Sequence, residues 1–73
     1  MKDIKVKNNI KLARVAKDLT QQQLADQVGV TRQTIGLLEA GRYNPTIQLC
    51  LLLAEATGNQ IGELFWIEGD HHD

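Results

Sequence analysis

Apolar positions recur at helical spacing along most of the chain, and the sharpest pattern lies in residues 21–40, QQQLADQVGVTRQTIGLLEA. Thr20 and Gln23 form a T-x-x-Q capping box, which predicts a helix beginning at Gln21. Leu24, Ala25 and Val28 give that helix one apolar face. Gly29 stands where a helix ends in a left-handed residue that glycine adopts at little cost. Val30 plugs the turn, Thr31 caps a second helix, and Ile35 and Leu38 supply the buried stripe of that helix. Two short helices joined by a tight glycine turn predict a helix-turn-helix, with Ala25 small enough for the two to cross closely. The alternative at this level is a helical hairpin that packs and binds nothing.

The flanks extend the pattern to five helices. A first helix is expected over about Asn8 to Asp18, capped by Asn8 or Asn9, with Ile10, Ala13 and the later Leu19 turned inward. Gly41-Arg42-Tyr43-Asn44-Pro45 breaks the chain after the helix-turn-helix. Asn44 is the expected cap of the fourth helix, with Pro45 at its first position, where no N–H is needed. That helix is expected over about Thr46 to Ala56. Ile47, Cys50, Leu51 and Ala54 form one stripe, Leu49 and Leu53 widen it, and Leu52 adds a third direction. A helix apolar nearly all round is either central or shared with a partner. A short fifth helix, about Gln60 to Leu64, turns Ile61 and Leu64 inward. At the ends, Ile4-Lys5-Val6-Lys7 alternates apolar and charged, and Leu64-Phe65-Trp66-Ile67 is the only other β-prone stretch. We expect the two ends to pair as a small antiparallel sheet, the alternative being two frayed termini.

Composition narrows the function. A chain of 73 residues reads as one domain over 1–73 with a marginal core, a size at which pairing with a second copy often adds stability. The single cysteine, Cys50, excludes an internal disulfide and a multi-cysteine zinc site and fits a reducing cytoplasm; it reads as a small core residue. The longest apolar run, Leu49 to Ala54, is far short of the roughly 20 residues of a membrane span, and no secretory leader pattern is seen, so no membrane association is expected. The net charge of −1 hides an asymmetry: residues 1–42 carry all eight Lys and Arg and a net +4, residues 43–73 a net −5. Positive charge gathered in one half suits a nucleic-acid partner, although the total implies modest non-specific affinity. No Ser/His/Asp or Cys/His arrangement, phosphate-binding glycine loop or paired carboxylates appears, so an enzyme is not expected, nor a cofactor, metal or small-molecule ligand. His71 and His72 lie in an acidic tail over 68–73 that is expected to be disordered.

In a helix-turn-helix the second helix of the motif enters the major groove N-terminus first. Arg can bond guanine O6 and N7 as a fork, and Gln can do the same to adenine N6 and N7, so Arg32 and Gln33 suit the reading of base edges. The segments LTQQQLA, VTRQTI, LEAGRYNP and IGELF together resemble the phage-repressor and Cro family of helix-turn-helix proteins, the Xre family, from about Ile10 to Phe65. The paired ends are similar to a subgroup of very short repressors, the cytolysin-operon repressor type. The resemblance implies an all-α, five-helix lambda-repressor-like DNA-binding domain, with the small terminal sheet added. It implies base contacts from Thr31, Arg32, Gln33 and Leu37, and backbone contacts from Gln21, Arg42, Tyr43, Asn44 and Thr46. It also implies an ion pair between Arg14 and Glu39 that ties the first helix to the third. Two positions depart from the family pattern, which commonly has polar or basic residues where Gly36 and Leu37 stand.

Together these readings predict a homodimeric DNA-binding transcriptional regulator, a repressor, on a pseudo-palindromic double-stranded operator. Phe65, Trp66 and Ile67, with Leu52, are the expected dimer seam; the alternative is that they complete the monomer core. An antitoxin or a restriction-modification controller shares the domain. A protein-interaction module that does not bind DNA is the reading of another class, motivated by Gly36, Leu37 and the low net charge.

Overall fold

Four threonine and asparagine side chains set where the helices begin. In the computed structural model, which describes residues 1–69, the Thr20 hydroxyl accepts from the Gln23 N–H at 3.0 Å while the Gln23 carboxamide oxygen accepts from the Thr20 N–H at 2.8 Å. This reciprocal box opens α2, Gln21–Val28. Gly29 ends α2 with φ +79°, a left-handed conformation that would strain any residue bearing a Cβ. Thr31 then caps α3, Arg32–Glu39, its hydroxyl accepting from the Thr34 N–H at 3.1 Å. Asn8 serves α1, Ile10–Ala16, by accepting from the Ile10 N–H at 3.1 Å, and its amide reaches across to the Leu38 carbonyl at 2.8 Å.

Two helices depart from the bounds that their periodicity predicts. α1 stops at Ala16 rather than Asp18 because Asp18 turns to φ 57°, and the Leu19 N–H bonds back to the Arg14 carbonyl at 3.1 Å. α4 spans Ile47–Thr57, and its cap is Thr46, whose hydroxyl accepts from the Leu49 N–H at 3.1 Å. Asn44 is therefore not the cap and Pro45 is not a helical residue. The loop delivers its chain two residues later than the Asn-Pro signal predicts. α5, Ile61–Leu64, follows, with the Glu63 carboxylate accepting from the Gln60 N–H at 2.7 Å.

β1, Val6–Asn8, pairs antiparallel with β2, Phe65–Ile67, so the two ends of the chain do form a two-stranded sheet. The register sets Val6 opposite Ile67, Lys7 opposite Trp66 and Asn8 opposite Phe65. The Glu68 N–H donates to the Lys5 carbonyl at 2.7 Å, which carries the pairing one step further. Glu68 and Gly69 thus form a turn rather than the start of a loose tail; the rest of that expected tail, with His71 and His72, lies outside the described residues.

The core collects Ile10 and Ala13 from α1, Leu24, Ala25 and Val28 from α2, Ile35 and Leu38 from α3, Leu49 and Leu53 from α4, and Leu64 from α5. Ala25 is fully buried, as its place at the helix crossing requires. Leu52 and Phe65 are half-buried and pack on this cluster. α4 turns a different face outward from the one its pattern predicts. Leu49, Cys50, Leu53 and Thr57 are buried, whereas Ile47 is 73% and Leu51 55% exposed. Among the described residues the fold is five helices with a small antiparallel sheet that pairs segments near the two chain ends.

Candidate nucleic-acid interface

The candidate surface is built on α2 and α3, held at a fixed angle by Ala25, Ile35 and Leu38 inside and by the Gly29 turn outside. Thr31, Arg32, Gln33 and Leu37 are all exposed. The Thr31 hydroxyl lies 3.0 Å from that of Thr34, so the cap is part of a small polar cluster at the tip of α3. Arg32 and Gln33 stand in the first turn, side by side. The ion pairs among the described residues are Lys7–Glu68 and Arg14–Glu39, so neither Arg32 nor Arg42 is neutralised by a carboxylate there. Leu37, one turn further along, is 38% exposed and extends the stripe with an apolar side chain.

Arg14 and Glu39 form a buried clamp behind this surface. Arg14 Nε donates to Glu39 Oε2 at 2.7 Å and Arg14 Nη2 to Glu39 Oε1 at 3.2 Å, a two-pronged pairing that fixes the guanidinium plane. The remaining prong, Nη1, donates to the Leu19 carbonyl at 2.8 Å. Gln21, the first residue of α2, joins from the other side: its Nε2 donates to Glu39 Oε1 at 3.1 Å. One carboxylate therefore links α1, the start of α2 and the end of α3. Sequence spacing gave no hint of the Gln21–Glu39 contact, because the two are 18 residues apart in separate elements. The Gln21 side chain, expected at a phosphate, has a donor committed to the protein itself. What it presents outward is its place at the positive end of α2.

The loop after α3 holds the other candidates. Arg42, Tyr43 and Asn44 are exposed. Thr46 is exposed as a residue, but its hydroxyl is engaged in capping α4. Tyr43 and Thr46 line a shallow hollow with Val28, Gly29 and Val30, so the loop lies beside the turn between α2 and α3.

Comparison with known proteins bears directly on this arrangement. The family model described as helix-turn-helix matches residues 10–64, the stretch that carries all five helices. The chain belongs to the Xre-like helix-turn-helix family. It is similar to an uncharacterized HTH-type transcriptional regulator of Methanocaldococcus jannaschii, 40% identical over 65 residues that cover 89% of this chain and 98% of that protein. It is also similar to the uncharacterized HTH-type transcriptional regulator YgzD of Bacillus subtilis, 35% identical over 90% of this chain and all of that protein. Among solved structures it is similar to the restriction-modification controller protein C.AhdI of Aeromonas hydrophila, with a TM-score of 0.69 and 33% identity over 74% of this chain and 78% of that one.

The remaining apolar surface lies elsewhere. Strand alternation puts Val6 and Phe65 on one side of the sheet and Lys7 and Trp66 on the other. Val6 and Phe65 line a groove of about 830 Å³ with Ile4, Ile47, Cys50 and Ile61, together with the N-terminal Met1, Lys2 and Asp3 and the loop residues Asn44 and Pro45. Ile47 and Leu51 continue into the adjoining hollow along α4. Trp66, 43% exposed, faces away from this groove. The groove is not evident from the sequence because Ile47 and Leu51 share a stripe there with Cys50 and Ala54, on a helix whose pattern fits either a central or a shared position.

Proposed function

We propose that this chain is a sequence-specific DNA-binding transcriptional regulator, acting as a repressor on a pseudo-palindromic operator. The observation that carries the reading is the pair Arg32–Gln33: two exposed side chains with base-reading chemistry in the first turn of a helix whose other face is locked into the core. Thr31 and Leu37 extend base reading along the same stripe. Arg42, Tyr43 and Asn44, with the N-terminal end of α2 at Gln21, meet the flanking phosphates. Thr46 contributes through the loop it holds rather than through a free hydroxyl. The likeness to HTH-type regulators and to a restriction-modification controller supports a regulator, and the latter keeps a controller of that kind as the second reading.

Two copies would join through the apolar groove and Ile67, which lies opposite Val6 on the same side of the sheet, rather than through Trp66. That groove gathers Ile4, Val6, Ile47 and Phe65, and a face of this composition gains by being covered. A two-fold dimer sets its two α3 helices one DNA turn apart, about 34 Å, and occludes the promoter sterically.

A gel-shift titration against the DNA upstream of its own gene, at two salt concentrations, tests the reading. Arg32→Ala and Gln33→Ala should each relax preference at one base position, by roughly 5- to 150-fold. Unchanged preference in both variants removes the assignment of base reading. In sedimentation at micromolar concentration Ile47→Glu should yield monomer and Trp66→Ala should not; a monomeric wild type ends the dimer.

A further inference from the structure

The terminal sheet, α1 and α3 meet in one side chain, that of Asn8. Its backbone lies in β1, opposite Phe65. Its side chain is engaged at both ends. Oδ1 accepts from the Ile10 N–H at 3.1 Å, at the start of α1, and Nδ2 donates at 2.8 Å to the carbonyl of Leu38, 30 residues away in the last turn of α3. A carboxylate could fill the first role but not the second, since it has no proton to give. The Leu38 carbonyl is one of the last four of α3, for which the helix itself supplies no N–H, and the Gly41 N–H donates to it as well, at 3.0 Å. Behind Asn8 the chain is anchored again, the Asn9 N–H donating to the Leu64 carbonyl at 2.9 Å. Among the described residues the Asn8–Leu38 bond is the one hydrogen bond that joins the sheet to α3.

We infer that Asn8 is a positioning residue for DNA reading: its amide fixes the rear of α3 to the terminal sheet and so sets where Arg32 and Gln33 stand at the front. The inference rests on the DNA-binding reading above. Asn8 acts through α3, not by touching DNA. Arg32 lies about 9 Å along the helix axis from Leu38, so a tilt of about 6° at the rear carries it about 1 Å. A functional group must be held to within about 0.5 Å, and a shift of that size takes a forked hydrogen bond out of register. The Arg14–Glu39 clamp holds the last residue of α3 from the side of α1, and the core holds Ile35 and Leu38. Loss of the Asn8 amide therefore leaves α3 folded and in place, but free to tilt.

Two substitutions remove the donor and keep an acceptor for the Ile10 N–H: Asn8→Ser, whose hydroxyl is too short to reach Leu38, and Asn8→Asp, whose carboxylate has no N–H. Each is titrated, well below its melting temperature, against a duplex that the wild-type chain has selected from a random-sequence pool and against an unrelated duplex of equal length. The ratio of the two affinities should fall about tenfold in both variants, the order of one base-reading pair put out of place. Affinity for the unrelated duplex should hardly change in Asn8→Ser. The charge that Asn8→Asp adds acts on both duplexes alike and cancels in the ratio. Asn8→Asp keeps the length and cap strength of the native side chain, so it carries the test where Asn8→Ser melts too low. Thr57→Ala is the control. It loses the bond from its buried hydroxyl to the Leu53 carbonyl, 2.8 Å, within α4, so it should melt lower and keep the wild-type ratio. A wild-type ratio in the Asn8 variants overturns the inference. So does an equal loss on both duplexes, the mark of a phosphate contact, or the same fall in Thr57→Ala, the mark of general loosening. A wild-type chain that enriches no sequence overturns the DNA-binding reading itself, before the variants are compared.

Discussion

Removing the Glu39 carboxylate should be among the most damaging single changes in this chain. The Arg14 and Glu39 side chains are only 11% and 7% exposed. Glu39→Ala deletes three hydrogen bonds, two from Arg14 and one from Gln21, and leaves the guanidinium with the Leu19 carbonyl alone. Breaking a buried pair from one side costs about 3–5 kcal/mol, because the remaining charge stays desolvated. A domain of 73 residues has roughly 4–11 kcal/mol in total. The variant should therefore melt at least about 12 °C lower. Glu39→Gln keeps an oxygen for one guanidinium N–H and should fall between the two. Changing both partners, Arg14→Met with Glu39→Leu, should cost less than Glu39→Ala, since no buried charge remains. Urea and thermal unfolding followed by circular dichroism, arranged as a double-mutant cycle, measure all of these. If Glu39→Ala costs under about 1 kcal/mol and its effect adds simply to that of Arg14→Ala, the pair behaves as a solvated surface bridge and the clamp argument is wrong.

Two further outcomes follow from the caps and from Cys50. Thr46→Ala should cost about 1 kcal/mol in the same unfolding assay through loss of its bond to the Leu49 N–H, whereas Asn44→Ala should stay within about 0.5 kcal/mol; a reversed order would restore Asn44 as the cap. Burial pushes the Cys50 thiol above its ordinary value of 9.0, so the unfolded chain releases the proton first and Cys50's contribution to stability is lost as pH rises past that value. Urea midpoints of wild type and Cys50→Ala across the alkaline range should converge as pH climbs, and a constant difference would refute this.

The legible part of the sequence was the part governed by local chemistry. The box at Thr20 and Gln23, the Gly29 turn and the Thr31 cap each involve groups within a few residues of one another, and each appears as read. The terminal sheet was legible for another reason: its two strands were the only β-prone stretches available to pair. The start of α4 was not, because two local signals competed. Asn44-Pro45 and Thr46 both fit a helix start, and Pro45 is as compatible with the extended approach to a cap as with a first turn. The outcome is the one that delivers Leu49 and Leu53 to the core.

The outward face of α4 was illegible for a reason that also bears on how two copies would meet. Periodicity finds a buried side by contrast, and IQLCLLLAEAT offers almost none. Seven of its first eight residues are apolar, so the choice of face falls to the other helices, which take Leu49, Cys50 and Leu53. Ile47 and Leu51 are left outside because they lie on the opposite arc. Two large aliphatic side chains exposed on one arc suit the proposed contact with a second copy. Trp66 looked like the stronger anchor in the sequence because aromatics bury the most area. The register places it opposite Lys7, on the far side of the sheet from Val6 and Phe65. One flat contact cannot cover both sides of a two-stranded sheet. The groove along Ile4, Val6 and Ile47, rather than the ring of Trp66, is where the unpaired apolar surface is continuous.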